Sequence, residues 1–228
     1  MKVLGTVALV TGANRGIGQQ LVRALLNAGA KKVYAGARNL DSIAATLAFD
    51  PQRVIPIELD ITSTDDIIAC CKVASDVRLL VNNAAILEMG GAMTVARSTM
   101  RNHMDVNFHG TFDMCQAFAN VMFQNGGGAI INVLSDIALH NAPAIAAYSA
   151  SKAAALSLTK SLRSDLRSLQ IDVHAVFPGP VDTDMLAHLA IPKASAEEVA
   201  REIVAGLIAG REDIFPEKQS QRWIHQVF

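Results

Sequence analysis

Tyr148 and Lys152 stand four residues apart in AAYSASKAAALSLTKSL (146–162), a run otherwise suited to an ordinary buried helix. Positions i and i+4 share one face of an α-helix, so phenol and ammonium come within reach of each other. An ammonium beside a phenol favours the phenolate and lowers the tyrosine pKa, which suits acid/base catalysis near neutrality. The same spacing also arises when a lysine snorkels to water over a packed ring. The chain has only one other tyrosine, Tyr34.

A second chemical feature is TGANRGIG (11–18), a glycine-rich segment that follows an apolar run and opens a helical pattern. Glycines in such a turn let the backbone approach a pyrophosphate, and the helix N-terminus behind it favours the anion. The spacing G-x-x-x-G-x-G differs from the common G-x-G-x-x-G and lacks the Lys-Ser/Thr of a P-loop. A ligand-free glycine turn is the plainer alternative. Arg38 ends the second apolar run, where a NAD site places an acidic residue for the ribose. A guanidinium there suits the 2′-phosphate of NADP, with Arg15 as a second cation. Otherwise Arg38 is a solvated loop charge and Asp41 a helix cap. Asp60 is expected either at the adenine or as the cap of a helix beginning near Ser63.

The elements that must position these residues alternate from end to end. Short β-branched runs at 7–10, 31–36, 53–59, 78–83, 129–135, 171–177 and 213–215 are separated by segments such as 17–29 and 114–127, apolar at three- and four-residue spacing. This is the βαβα pattern of an α/β fold, a parallel sheet covered by helices on both faces. The unusual residues follow successive strands: Gly12 to Gly18, Arg38, Asp60, Asn82 to Ala85, Ser135, then Pro178 and Gly179. In an open parallel sheet those positions share the carboxyl edge, where ligands bind. Neither linker nor repeat interrupts the pattern, so residues 1–228 are expected to form one domain.

Composition narrows the partners. A net charge of −1 with scattered basic residues offers no stripe for nucleic acid, and half the residues are apolar. A small molecule is the expected partner. Cys70, Cys71 and Cys115 lack metal-ligand spacing and read as reduced interior thiols, so no metal is expected. The apolar start is too short and too interrupted for a signal peptide, and no run spans a bilayer; the cytoplasm is the expected location and no membrane partner is expected.

With these pieces placed, the sequence resembles the short-chain dehydrogenase/reductase family over nearly its whole length. The resemblance rests on TGANRGIG (11–18), LDIT (59–62), NNAA (82–85), Asn107 in MDVNFHG, Ser135 in INVLSD, YSASK (148–152) and PGPVDT (178–183). It implies a Rossmann-type doubly wound domain with a seven-stranded parallel sheet and a nicotinamide cofactor. It further implies a tetrad: Tyr148 as proton donor to the carbonyl oxygen, Ser135 hydrogen-bonded to that oxygen, Lys152 holding the nicotinamide ribose and depressing the tyrosine pKa. Asn107, in mid-helix, leaves a helical carbonyl free to hold a water. NADP(H) is expected against Gly12, Asn14, Arg15, Gly16, Ile17, Gly18, Arg38, Asp60, Ile61, Asn83, Ala84, Ala85, Tyr148, Lys152, Pro178, Gly179, Val181 and Thr183. The expected activity is NADPH-dependent reduction of a ketone or aldehyde, reversibly.

Three departures from the family pattern stand out. Ala85 replaces the usual glycine of NNAG, the segment between Asp60 and Leu79 is short, and the tail FPEKQSQRWIHQVF lacks the glycine-rich final strand many members use for tetramers. A homodimer through helices near 96–124 and 147–169 is expected, with a homotetramer as the alternative. The substrate pocket is expected to draw on 86–88, 136–145 and 180–191, largely apolar through Leu87, Ile137, Met185 and Leu186, with His140 and His188 as polar candidates. Two rival classes are a serine hydrolase using Ser135 with Lys152 as base, which lacks a G-x-S-x-G elbow, and a non-catalytic NADP(H)-binding regulator, which has no need of Tyr148.

Overall fold

The computed structural model of the chain describes residues 1–226. In chain order the elements are β1 (Val7–Thr11), α1 (Gly16–Asn27), β2 (Lys32–Ala37), the short α2 (Ala44–Leu47), β3 (Val54–Glu58), α3 (Thr64–Val73), β4 (Leu79–Asn82), α4 (Arg97–Met104), α5 (Thr111–Gln124), β5 (Gly128–Val133), α6 (Ala146–Leu166) and β6 (Ile171–Val176). Two-residue β7 (Val181–Asp182) and β8 (Ala194–Ser195), then α7 (Ala196–Ile208), two-residue β9 (Asp213–Ile214) and α8 (Lys218–Gln221) complete the series.

Seven strands form one sheet in the order β3-β2-β1-β4-β5-β6-β9, and every pairing is parallel. Side chains of a strand alternate between faces, so a strand buried on both sides reads as a continuous apolar run. In β1, Ala8 and Val10 pack with Leu21 and Leu25 of α1 and Val199 and Ile203 of α7. Val7 and Leu9 point the other way, toward Ile67 of α3, Met114 and Phe118 of α5 and Leu162 of α6. Strand order reverses between β1 and β4, which opens a crevice at the carboxyl edge.

Two helices carry the features that matter for the site. Between α4 and α5 the chain makes a π-helical turn, Asp105–Gly110, that holds Asn107; such single turns shift the hydrogen-bond ladder by one residue. In α6 the buried positions include Tyr148, Ser151, Lys152, Ala155, Leu156, Thr159 and Leu162, the i, i+3, i+4 stripe of a helix facing its sheet. Lys152 lies on that inward stripe at 4% exposure, so it does not snorkel to water. The helix near Ser63 begins as expected, α3 being ten residues long, but its cap is Ser63 itself, whose Oγ accepts from Asp66 N at 3.2 Å.

Candidate active site

The carboxyl ends of the central strands open into a cavity of about 630 Å³. The segment after β5 brings Ser135 to its wall, and the inward face of α6 brings Tyr148 and Lys152. Lys152 Nζ donates to Val133 O at 2.9 Å and sits 5.7 Å from the Tyr148 ring centroid. The Ser135 hydroxyl faces two acceptors, Asp136 Oδ1 at 3.2 Å and Pro178 O at 3.3 Å, and its oxygen accepts from Ile137 N at 3.3 Å. Asn107 stands behind the wall rather than on it: its side chain accepts from Ile86 N (2.9 Å) and donates to Ile86 O and Ser151 Oγ (both 3.0 Å). Its own carbonyl, expected to be free, accepts from Thr111 Oγ1 at 3.1 Å.

Burial corrects the expected electrostatics. Desolvation pushes the Tyr148 phenol up to about 12; the neighbouring Ser135 hydroxyl lowers it and the charge of Asp136 raises it. Lys152 is itself pushed down to about 8 by desolvation. The low-dielectric wall penalises both charged forms, so the protonated phenol is the resident form at neutral pH. The spacing argument for a lowered tyrosine pKa therefore fails in these surroundings, because desolvation of the phenol dominates its shift.

At the other end of the cavity the glycine loop forms a cradle. Gly12 has φ +62, where an L side chain is strained. Gly18 is packed so closely that a Cβ would lie 2.2 Å from Gly12 O and 2.4 Å from Asn83 Nδ2. The start of α1 has no side-chain cap, leaving its first N–H groups open toward the cavity that Gly16, Ile17 and Gly18 line. Asn83 braces this loop by donating from Nδ2 to Thr11 O (2.9 Å) and Gly12 O (3.1 Å), and the Thr11 hydroxyl accepts from Asn83 N and Ala84 N, both at 3.0 Å. A bare helix start and a backbone cradle that a Cβ would fill suit a dinucleotide pyrophosphate.

Arg38 is exposed on the cavity rim and makes no hydrogen bond or ion pair among the described residues. Arg15 does not join it: its guanidinium reaches Asp184 Oδ2 across the cavity mouth at 3.2 Å, both side chains largely exposed. Asp60 lines the cavity, but its Oδ1 accepts from Thr62 N (2.9 Å) and Thr62 Oγ1 (2.7 Å), an Asx turn in place of a helix cap. Asn39, in place of Asp41, caps the turn after β2, accepting from Asp41 N at 2.8 Å. Asn14, Ile61, Ala85, Pro178, Gly179, Val181 and Thr183 also line the cavity.

The substrate end combines Leu87, Ile137, Ile145, Met185, Leu186, Leu189 and Ile191 with Asp136 and His140. His188 is exposed and lies outside this lining. Sequence reasoning missed the tail: Gln219 and Arg222 also line the cavity. Glu217 anchors that segment, its Oε1 accepting from Gly179 N at 2.8 Å, and Trp223 stacks on His140 with centroids 4.2 Å apart. Only the polarity of the tail hinted at this, since its approach depends on tertiary packing.

A profile described as short chain dehydrogenase matches residues 6–193, and the chain belongs to that family. It is 32% identical over 228 residues to a galactitol 2-dehydrogenase of Agrobacterium fabrum, covering 94% of this chain and 89% of that one. Among solved structures it is similar to a short chain dehydrogenase from Burkholderia cenocepacia in complex with NADP: 38% identity, TM-score 0.92, 99% of this chain and 93% of that one. A 3-ketoacyl-(acyl-carrier-protein) reductase from Brucella melitensis, complexed with NADH, superimposes at TM-score 0.85 with 26% identity over 94% and 95% of the two chains. The chain is thus an oxidoreductase of this family that uses a nicotinamide cofactor.

Proposed function

We propose that the protein reduces a ketone or aldehyde to an alcohol with NADPH, reversibly, and that residues 1–228 work as one catalytic unit. The observation that carries this reading is a protonated, buried Tyr148 beside Ser135 on the wall of a cavity whose other end is a glycine cradle with an unpaired arginine. When bound, the cofactor supplies hydride. Tyr148, whose buried phenol carries its proton at neutral pH, donates that proton to the carbonyl oxygen. Lys152, held by Val133 O, stands where it can meet the nicotinamide ribose. Asn107 fixes the Ile86 backbone against Ser151 and so braces the wall opposite α6.

Arg38, without a partner among the described residues, favours the 2′-phosphate of NADP over the NAD hydroxyl; the NADP-bound relative supports this preference. The apolar substrate end favours a carbonyl on an apolar body. A hydrolase reading loses support because Ser135 faces Asp136 and Pro178, and Lys152 faces Val133. No helix among the described residues is long and apolar enough to cross a membrane. We place the protein in the cytoplasm as a homodimer. Replacing Tyr148 with Phe keeps the ring and removes the donor, so turnover of any ketone the wild type reduces should fall by at least roughly 10² while NADPH binding persists. Near-normal turnover in Tyr148→Phe overturns the reading, and binding without turnover in the wild type favours a regulator.

A further inference from the structure

Asp136 is a carboxylate buried to 4% exposure directly after Ser135, and the proposed reduction does not use it. Its Oδ1 lies 3.2 Å from Ser135 Oγ and its Oδ2 3.6 Å from His140 Nε2. The groups that face it are His140 from its own segment, Tyr148 from α6 and Glu217 from the tail, while the loop after β6 presents the backbone of Pro178 and Gly179. Burial and Glu217 raise its pKa, against His140 and Ser135.

Resting on the proposed reductase function, we propose that Asp136 is a positioning residue whose charge sets which way the Ser135 hydroxyl points, and so whether a carbonyl oxygen meets one donor or two. A serine hydroxyl has one proton to donate. With Asp136 ionised, that proton goes to Oδ1, since a charged acceptor outcompetes a neutral one. Ser135 then turns only lone pairs to the cavity, and Tyr148 alone can donate to the substrate oxygen. With Asp136 protonated, the carboxyl O–H donates to Ser135 Oγ, and the hydroxyl proton is left with the neutral Pro178 O at 3.3 Å, from which a substrate oxygen developing charge can draw it. Two donors then stabilise the oxygen as charge develops on it.

The test compares wild type with Asp136→Asn, whose amide can donate to Ser135 Oγ at every pH and keeps the side-chain shape. Protein labelled with ¹³C at the tyrosine ζ carbon gives two signals, and Tyr34→Phe assigns them. In the wild type the Tyr148 signal should shift in a step as Asp136 titrates, above the ordinary carboxylate range, and that step should vanish in Asp136→Asn. In parallel, kcat/KM for cyclohexanone, acetophenone and benzaldehyde with NADPH should rise at least threefold as pH falls through the same step in the wild type and stay flat in the variant. A step and a pH profile that persist unchanged in Asp136→Asn overturn the proposal. If the wild type reduces none of the three probes, the reductase reading is what suffers; the Tyr148 signal still decides, its step lost in the variant in support or retained against.

Discussion

The four-residue spacing of Tyr148 and Lys152 predicts a shared helix face correctly, but it does not say which way the face turns. The structure turns it inward, and burial then governs both groups. Lys152 releases its proton near 8 in the folded chain against an ordinary 10.5. Between those values the unfolded chain binds more protons, so stability rises with pH there; below about pH 8 the fold carries the whole penalty of a buried ammonium. At roughly 1.4 kcal/mol per unit the penalty is on the order of 3 kcal/mol, and losing the bond to Val133 O offsets about 1 of it. Lys152→Met should thus be more stable than wild type by about 2 kcal/mol at pH 7, with the gap closing between pH 8 and 10.5. Urea midpoints at a series of pH values check this, and a gap independent of pH would falsify the buried-charge account. Arg38 needs no burial argument, and its position at a strand end was readable directly. Arg38→Asp should cut NADPH efficiency at least tenfold, which takes only about 1.4 kcal/mol, mainly through cofactor KM, while NADH efficiency holds or rises. Kinetics with both cofactors decide; an unchanged ratio makes Arg38 a solvated charge. Arg15 misleads the sequence reader because its partner Asp184 lies 169 residues away.

Strands and long helices were legible because their burial writes itself into periodicity: continuous apolar runs for β1, β4 and β5, and three- and four-residue spacing for α1 and α5. The π-helical turn at Asn107 leaves no such mark, since a one-residue shift in the ladder barely alters the pattern around it. The run at 213–215 marks β9, but the tail beyond it was illegible for another reason: α8 has four residues, too few for any period to emerge. Its role depends on Glu217 reaching Gly179, a tertiary contact. The glycine loop is the element where sequence and packing agree most closely. Gly18→Ala would drive a methyl against Gly12 O and Asn83 Nδ2, both fixed by the loop's own hydrogen bonds. Overpacking of this kind costs about 1–3 kcal/mol. The variant should unfold at lower urea and bind NADPH at least tenfold more weakly by titration calorimetry. Wild-type stability together with wild-type binding would show that the cradle is looser than its contacts indicate.

At the scale of the whole molecule, the sheet is covered on both faces, and the outer side of α6 is among the helical surfaces left exposed. The outer side of α6 carries Ala150, Ala153, Ser157, Ser161 and Ser164, all exposed and small, and α5 exposes Phe123 at 57%. Small residues at three- and four-residue intervals let two helices approach closely, and a patch that meets its own copy across a two-fold axis closes a dimer with one kind of contact. A stable interface of this kind buries roughly 1,600 Å² in total, which two long helices per chain can supply. We therefore expect light scattering at about 10 μM to give twice the 24.2 kDa chain mass. Replacing Ala153 and Ser157 together by Glu would set four carboxylates against one another at the axis, where like charges in a desolvated contact cost several kcal/mol. That double variant should run as a monomer with an unchanged far-ultraviolet circular dichroism spectrum. Because Tyr148 and Lys152 sit on the opposite, buried side of the same helix, the monomer should also show softened cofactor binding. A wild-type chain that scatters as a monomer removes the dimer outright, and a double variant that stays dimeric moves the interface to another face.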